Sequence, residues 1–535
     1  MPQIGHPPKD FYAIVDGLNT LKSGVRIGDT EFRNTQNIRY FPVGGFKWRP
    51  GYDALNDTAI AGSPALTGLY MARFDSLTNV AFATAGASLY KMDSLDGTWD
   101  DITNGQVITG GQDNLWNFAT LNNTVVLAND TDTCIQISSG LTASSIGGGV
   151  PFTSALAPVE HRGYMFYLNP VVSATRYRDR VYFSDLNTPA TVGINNYINV
   201  SPTTYGDVRG AVDYNGKLYI FKRHGIFAIE FQPTRTDSAG TLFPFIEVPN
   251  PVVPGVGTQS HRSICKFTTP ATHKTPGQEL VFFVDQFGTP RVFDGTTTLS
   301  VGTGISQSRD TTITSLSDME GTRVGQVWTV NYPEKNLIYC HMTSVTASTR
   351  HDTCWVLDYT TGFAWSRDTY ADQFNCGALM EKTNGRFVPF FGNYAGQVME
   401  METGLSDNGA AISSYAVTGD LFNASPTVRS SWTILEVRGT TGSTSQNISI
   451  DYYVDGDDTP SKTDAVALFR TGQAQWGTLI WGVDAFAKKG LVTHTKEINV
   501  ESKTLRIKFS NSTLNNTGII EGFTIFSKPE GWVEE

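Results

Sequence analysis

Short apolar runs, each closed by a turn-forming residue pair, recur along most of this chain. The clearest group is RGAVDYNGKLYIFKRHGIFAIEF, residues 209–231. Its apolar runs are 211–214, 218–221 and 226–231. Asn215-Gly216 separates the first two and predicts a tight hairpin turn with positive φ at both residues. Arg223-His224-Gly225 separates the second and third, with Gly225 suited to a left-handed position. The pattern predicts a three-strand antiparallel meander. Leu218 and Ile220 fall on one face of the middle strand, Tyr219 and Phe221 on the other. Two apolar faces mean a sheet covered on both sides, as a β-propeller blade is between its neighbours.

Similar clusters are expected at 64–105, 114–137, 160–200, 260–300, 323–368 and 374–402. The Ser/Gly-rich tract 138–149 reads as a loop, and 325–331 as the first strand of its cluster. The clusters share a rough pattern without a strict repeat, and WD and kelch signatures are absent. They predict an all-β fold, a degenerate β-propeller of about six to eight blades. From about residue 408 the expected strands lengthen: 431–438, 447–454, 478–482, 505–510 and 518–526. Their alternation predicts an additional C-terminal β-sandwich domain, with Trp476 and Trp481 in its core or an interface. The expected organisation is an N-terminal arm with first strands (1–57), a propeller platform (58–407) and a sandwich (408–535).

Composition agrees with this picture. The 535 residues include 52 glycines, 12% aromatics and only 17% charged residues, which suits turn-rich β structure over long helices. The formal charge of −11 argues against a protein that grips DNA, which needs a basic stripe. Phe46-Lys47-Trp48-Arg49 and Phe221-Lys222-Arg223-His224 are the nearest approaches, and both are short. An acidic surface suits a wall that DNA slides past. Cys134, Cys265, Cys340, Cys354 and Cys376 show no zinc spacing. Cys340 and Cys354 sit where a hairpin could pair them, but free thiols and assembly in a reducing cytoplasm are expected. The N-terminus has no basic region before an apolar core, so no secretory signal is expected. No apolar run is long enough to predict a membrane span.

Catalytic patterns are missing. The eight histidines are scattered, and His341 and His351 with Cys340 and Cys354 make a poor metal set without a supporting helix. There is no GxSxG elbow. The pairs Asp100/Asp101, Asp457/Asp458 and Glu279/Asp285 read as turn acids, although a propeller glycosidase would gather carboxylates in a cavity. Asp451, Asp455, Asp457 and Asp458 lack the glycine and terminal glutamate of an EF-hand loop. Gly147-Gly148-Gly149 is followed by Val-Pro, which does not make a phosphate loop. No catalytic, cofactor-binding or metal residue is assigned, and no enzyme activity or cofactor is expected.

Two segments carry a family resemblance. NTQNIRYFPVGGFKWRPGYDAL, residues 34–55, resembles the N-terminal signature of the tail nozzle (tail-hub, tail-tubular or packaged-DNA-stabilising) proteins of short-tailed bacteriophages. There an Asn-rich strand leads through a glycine turn to Lys-x-Arg-Pro-Gly. YRDRVYFSDLNTPATVGINNYINV, residues 177–200, followed by the 208–230 meander, is similar to the same family's mid-chain hallmark. The likeness covers about 200 residues well, several blades' worth, and the rest of the chain only as architecture. It implies a propeller platform with β-rich tube domains. Six copies would ring the channel below the portal adaptor, hold packaged DNA, and open for its ejection. Fibres or spikes would dock outside, and the protein would reside in the virion tail. Arg49, Pro50 and Gly51 are expected to fix a turn in the arm, Ser184 and Asp185 to shape a turn, and Arg176, Arg178 and Arg180 to serve subunit or adaptor contacts. The alternative is a carbohydrate-binding or glycan-cleaving propeller protein.

Overall fold

The computed structural model describes residues 9–529 except 12–13, 43, 57, 76–78, 94, 96, 237–239, 241, 309–312, 348, 424, 441–446, 469–491 and 516–517. The expected strand 478–482, with Trp476 and Trp481, lies outside the described residues. The chain is all-β, with many small antiparallel sheets and, among the described residues, only 3-10 helical turns.

Seven small sheets follow one another in sequence: sheet 1 (66–101), sheet 2 (117–145), sheet 3 (157–199), sheet 4 (208–254), sheet 5 (265–300), sheet 6 (328–368) and sheet 7 (374–401). Six have four strands, and sheet 4 adds the short strand Val253–Pro254. The fourth strand of sheet 7 is Tyr52–Ala54, contributed from far upstream. The first strands form a closed circuit. Leu66–Ala72 adjoins Asn117–Leu121, then come Ala157–His161, Val208–Tyr214, the turn His261–Ser263 leading into sheet 5, Trp328–Tyr332 and Phe374–Glu381, which adjoins Leu66–Ala72 again.

Each joint between neighbouring sheets holds its own hydrophobic core. Phe82 and Val125 meet between sheets 1 and 2, Val126 and Tyr167 between 2 and 3, and Phe166 and Ile220 between 3 and 4. Phe221 and Phe283 fill the 4–5 joint, Phe282 and Trp355 the 5–6 joint, and Trp328 and Phe391 the 6–7 joint. Phe390 and Ala81 close the circuit between 7 and 1. This is the physical reason for strands apolar on both faces: alternate side chains serve alternate joints. In the 209–231 meander, Leu218 and Ile220 face sheet 3 while Tyr219 and Phe221 face sheet 5, as the alternation requires.

Polar side chains stitch the joints. Asn117 at the start of sheet 2 donates to the Leu156 carbonyl at 2.9 Å. Asn375 at the start of sheet 7 donates to the Leu66 carbonyl at 2.8 Å. Asn169 reaches Val208 and Ser260 reaches Val327 in the same way. Each fills an acceptor that the next sheet leaves buried at its entry.

The turns are mostly as the sequence reads. Asn215 and Gly216 both have positive φ, 50° and 73°. Gly225 is a correction: it is not left-handed, and its role is space, since an added Cβ would sit 3.1 Å from the Tyr205 ring. The tract read as a loop contains a strand, Ala143–Ser145, which edges sheet 2. Gly325 belongs to the 3-10 turn Gly321–Gln326, and the strand starts at Trp328.

Apart from the two-stranded hairpin of Val171–Val172 and Thr175–Arg176, the remaining described strands form two six-stranded sheets over one core of Phe32, Phe46, Leu435, Phe509 and Phe523. The segment read as a separate arm is part of this unit. Ile38–Tyr40, Phe46–Trp48 and Lys9–Phe11 enter the sheet of Ser430–Thr440, Val492–Ser502 and Ile519–Pro529. Gly17–Leu18 and Glu31–Gln36 enter the sheet of Ser414–Thr418, Leu505–Asn511, Asn447–Val454 and Lys462–Ala467. The two-sheet unit is therefore closed by both ends of the chain, with the ring inserted between them.

Candidate functional site

The densest buried chemistry lies where the ring meets the two-sheet unit. Its arginines come from the 34–55 signature, Lys335 from a turn of sheet 6, and its anions from the last strand of sheet 6 and the loop after sheet 7. Arg39 lies in the first strand of the hairpin Ile38–Trp48, opposite Lys47, and Arg49 directly follows its second strand; both reach into this joint. Both are buried, at 5% and 2% exposure.

Arg49 uses all five of its N–H groups. It grips Asp407 with two bonds of 2.8 and 2.6 Å. Its other donors reach Asn37 Oδ1 and the carbonyls of Pro50 and Thr369. The Tyr370 ring lies 4.5 Å from its guanidinium carbon. Arg39 is also fully used. It holds Asp368 at 2.9 and 2.7 Å, Glu402 at 2.8 and 3.2 Å, and the Ile38 carbonyl. The rigid planar fork of arginine suits such paired recognition, which lysine cannot copy.

Asn37 is the hub between them. Its side chain accepts from Arg49 Nε and the Thr369 N–H and donates to Thr369 Oγ1 and the Ser413 carbonyl. Its φ of 57° is one asparagine tolerates better than most residues. Gly51 is required by contact: an added Cβ would lie 1.8 Å from the Ser406 carbonyl oxygen. Arg49, Pro50 and Gly51 thus do more than fix a turn, because they carry the chain from the two-sheet unit into sheet 7.

Electrostatics bind the joint. Burial alone would raise the Glu402 pKa, but the charges of Arg39 and Lys335 and hydrogen bonds from Lys335 and Tyr339 hold it down at about 2. Burial opposes the charge on Arg49, yet the hydrogen-bonded Asp407 raises its pKa above the ordinary arginine value. Both groups stay ionised across the physiological range. The sequence gives no signal for Asp368, Glu402 and Asp407, which are isolated acids more than 300 residues from their partners.

The second motif is also spent on internal ties. The Arg180 guanidinium is sandwiched between Tyr177 and Tyr197 at 3.9 and 3.8 Å. Arg176 bonds Asp130, and Arg178 pairs with Asp207 at 3.1 Å while staying largely exposed. Ser184 is fully buried, accepts from the Met165 N–H and donates to the Asp185 carbonyl. Asp185 opens a turn bridged to Thr188. Lys222 is buried and donates to Asp179 at 2.8 Å and to the carbonyls of Val200 and Ser201. The two basic-looking runs therefore place Arg49 and Lys222 inside the molecule.

The other residues singled out by sequence do not converge. Strand register pairs Cys340 with Trp355 and His341 with Cys354, so the two thiols face opposite sides of sheet 6. All five cysteines are free. Asp455 sits in a turn and accepts the Lys503 and Thr504 N–H groups. Asp285 caps its own turn and pairs with Arg291 at 2.7 Å, while Asp100 and Asp101 form an exposed edge strand. Among the described residues no group of three His, Cys, Asp or Glu side chains is placed to hold a metal. No helix among them is long and apolar enough to cross a membrane.

No family model matches the chain, and no curated protein does. Among solved structures it is similar to the "Crystal structure of the computationally designed Ika8 protein: crystal packing No.1 in P63". The likeness spans 65% of this chain and 99% of that one at 13% identity, with a TM-score of 0.34. That likeness is too slight to bear on fold or function.

Proposed function

We propose that the seven sheets are the blades of a β-propeller closed by Tyr52–Ala54, and that the two-sheet unit is a β-sandwich fixed to its rim. On this reading the chain is a virion structural protein, the tail nozzle of a short-tailed phage. Six copies form a ring-shaped conduit below the portal adaptor that retains packaged DNA and opens for its ejection. Fibres or spikes dock on its outside.

One observation carries the reading. The residues of the 34–55 resemblance, Asn37, Arg39, Arg49 and Gly51, all act on a single stiff joint between two β units. A conduit under load needs that joint more than it needs a reactive group. The charge supports the same reading: six copies multiply a formal −11, and such a wall repels passing phosphate. Arg178, exposed at the ring surface, is the residue of its motif best placed for a neighbour or the adaptor.

Native mass spectrometry and negative-stain microscopy test this, with the protein alone and mixed with its portal–adaptor complex. Sixfold rings with an open centre are expected in at least the mixed sample. Monomers in both samples overturn the reading.

A further inference from the structure

A pocket of about 380 Å³ lies on the face of the second six-stranded sheet turned away from the core, with Ile313 of the connection between sheets 5 and 6 also lining it. We propose that it is a binding site for a saccharide of one or two rings, independent of ring assembly. Asn34, Tyr415, Tyr453, Asp458, Arg506 and Lys508 line it.

The lining follows from strand register. Val417 pairs with Lys508, Asp451 with Lys508, and Tyr453 with Arg506, so these side chains share the face opposite Ile507 and Phe509 of the core. Supporting contacts preset them. Arg506 donates to the Asp457 carbonyl at 2.5 Å and lies 4.7 Å from the Tyr453 ring. Lys508 lies 5.5 Å from the Tyr415 ring, and the Tyr415 hydroxyl accepts from Arg367 at 3.0 Å.

Three features select the ligand class. Two half-buried tyrosines offer surfaces for the apolar C–H faces of a sugar ring. Planar forked groups, the Arg506 guanidinium and the Asp458 carboxylate, suit vicinal hydroxyls as donor and acceptor. Charges alternate: Asp458 lies 3.6 Å from Arg506 and Asp451 3.8 Å from Lys508. Carboxylates among the cations disfavour a purely acidic peptide, whereas a hydroxyl donates to one and accepts from the other. The ion pairs are also longer than the 2.6 and 2.7 Å pairs of the joint, which leaves bonding capacity for a guest. A small number of polar groups on partly apolar walls is the usual make-up of a small-ligand site. On this proposal the glycan-binding site lies on the two-sheet unit, not in a propeller cavity.

Saturation-transfer NMR on the full chain tests this with cellobiose, N,N′-diacetylchitobiose and galacturonic acid as probes, and hexaglutamate as the peptide control. Transfer to the ring protons of at least one sugar is expected. Tyr453→Ala should weaken that binding about threefold to tenfold, the loss of one aromatic contact. Lys508→Met, which leaves the core face untouched, should weaken it as well. Absence of transfer to all three sugars overturns the proposal. So does binding of hexaglutamate alone, or sugar binding that neither variant changes.

Discussion

The joint and the pocket each set cationic side chains beside tyrosine, and the two are built to opposite ends. At the joint, Arg39 and Arg49 are buried, grip their acids at 2.6 to 2.9 Å at the closest, and leave no donor unused. In the pocket, Arg506 and Lys508 meet acids at 3.6 and 3.8 Å beside a cavity of about 380 Å³. The residue types are the same. What differs is whether the surrounding chain saturates them. A saturated cluster fixes geometry, and an unsaturated one leaves groups for something else to bind.

Arg49→Met is the strongest way to break this contrast. It strands Asp407 in a buried site, and removing one partner of such a pair costs about 3–5 kcal/mol. Urea unfolding should show that loss, with trypsin cutting between the two units at lower denaturant than in the parent. A loss below about 1 kcal/mol would place the joint with ordinary surface pairs.

Acid separates the ring from the joint. Burial lowers the pKa of His351 to about 3 and of His261 to about 4, and puts His341 well below its ordinary value. All three belong to the ring. Unfolded, each binds a proton near pH 6.5 that the folded ring refuses. Stability should therefore fall as pH drops from about 6.5, by at most about 1.4 kcal/mol per pH unit for each histidine. Glu402 works lower. Its depressed pKa of about 2 gives stability that is complete above about pH 4.5, and is lost between there and about 2. Thermal melts from pH 7.5 to 4 should drop before Glu402 titrates, and His351→Gln should flatten that slope. An unchanged slope would remove His351 from the acid response.

The stitches between sheets rank next. Asn375→Ala leaves the Leu66 and Gln112 carbonyls without their side-chain donor. Losing a buried partner costs about 1–3 kcal/mol. Asn117→Ala, at the equivalent place between sheets 2 and 3, should cost a similar amount. Unequal urea midpoints would show that sheet 7, closed by a distant strand, bears more load than sheet 2.

The ring was legible because its information is local. Each cluster expected from the sequence, from 64–105 to 374–402, overlies one of the seven sheets, since each is a set of apolar runs beside turns. The two-sheet unit was legible only in its later half. Its first strands lie almost 400 residues or more from their partners (Phe46 and Ile520, 520 − 46, are 474 apart), and nothing in a short window reports that. Val492–Ser502 escaped because it is an edge strand with alternating exposed positions and few apolar residues. The joint was half legible: its arginines stand in a recognisable motif, while Asp368, Glu402 and Asp407 are three acids among 51.

The smallest effect is the most discriminating. Lys508→Met removes an ammonium whose ion pair with Asp451 is long and partly exposed. Such a pair contributes between nothing and about 1 kcal/mol. Methionine keeps much of the apolar stem while losing the ammonium that lies 5.5 Å from the Tyr415 ring. The urea midpoint should hardly move, in contrast to Arg49→Met, although both changes delete one cation beside a tyrosine. A midpoint shift as large as that of Arg49→Met would make the pocket a second joint, closed for stability. An unmoved midpoint with weakened sugar binding would assign this face to recognition, leaving the stiffness of the molecule to Arg39 and Arg49.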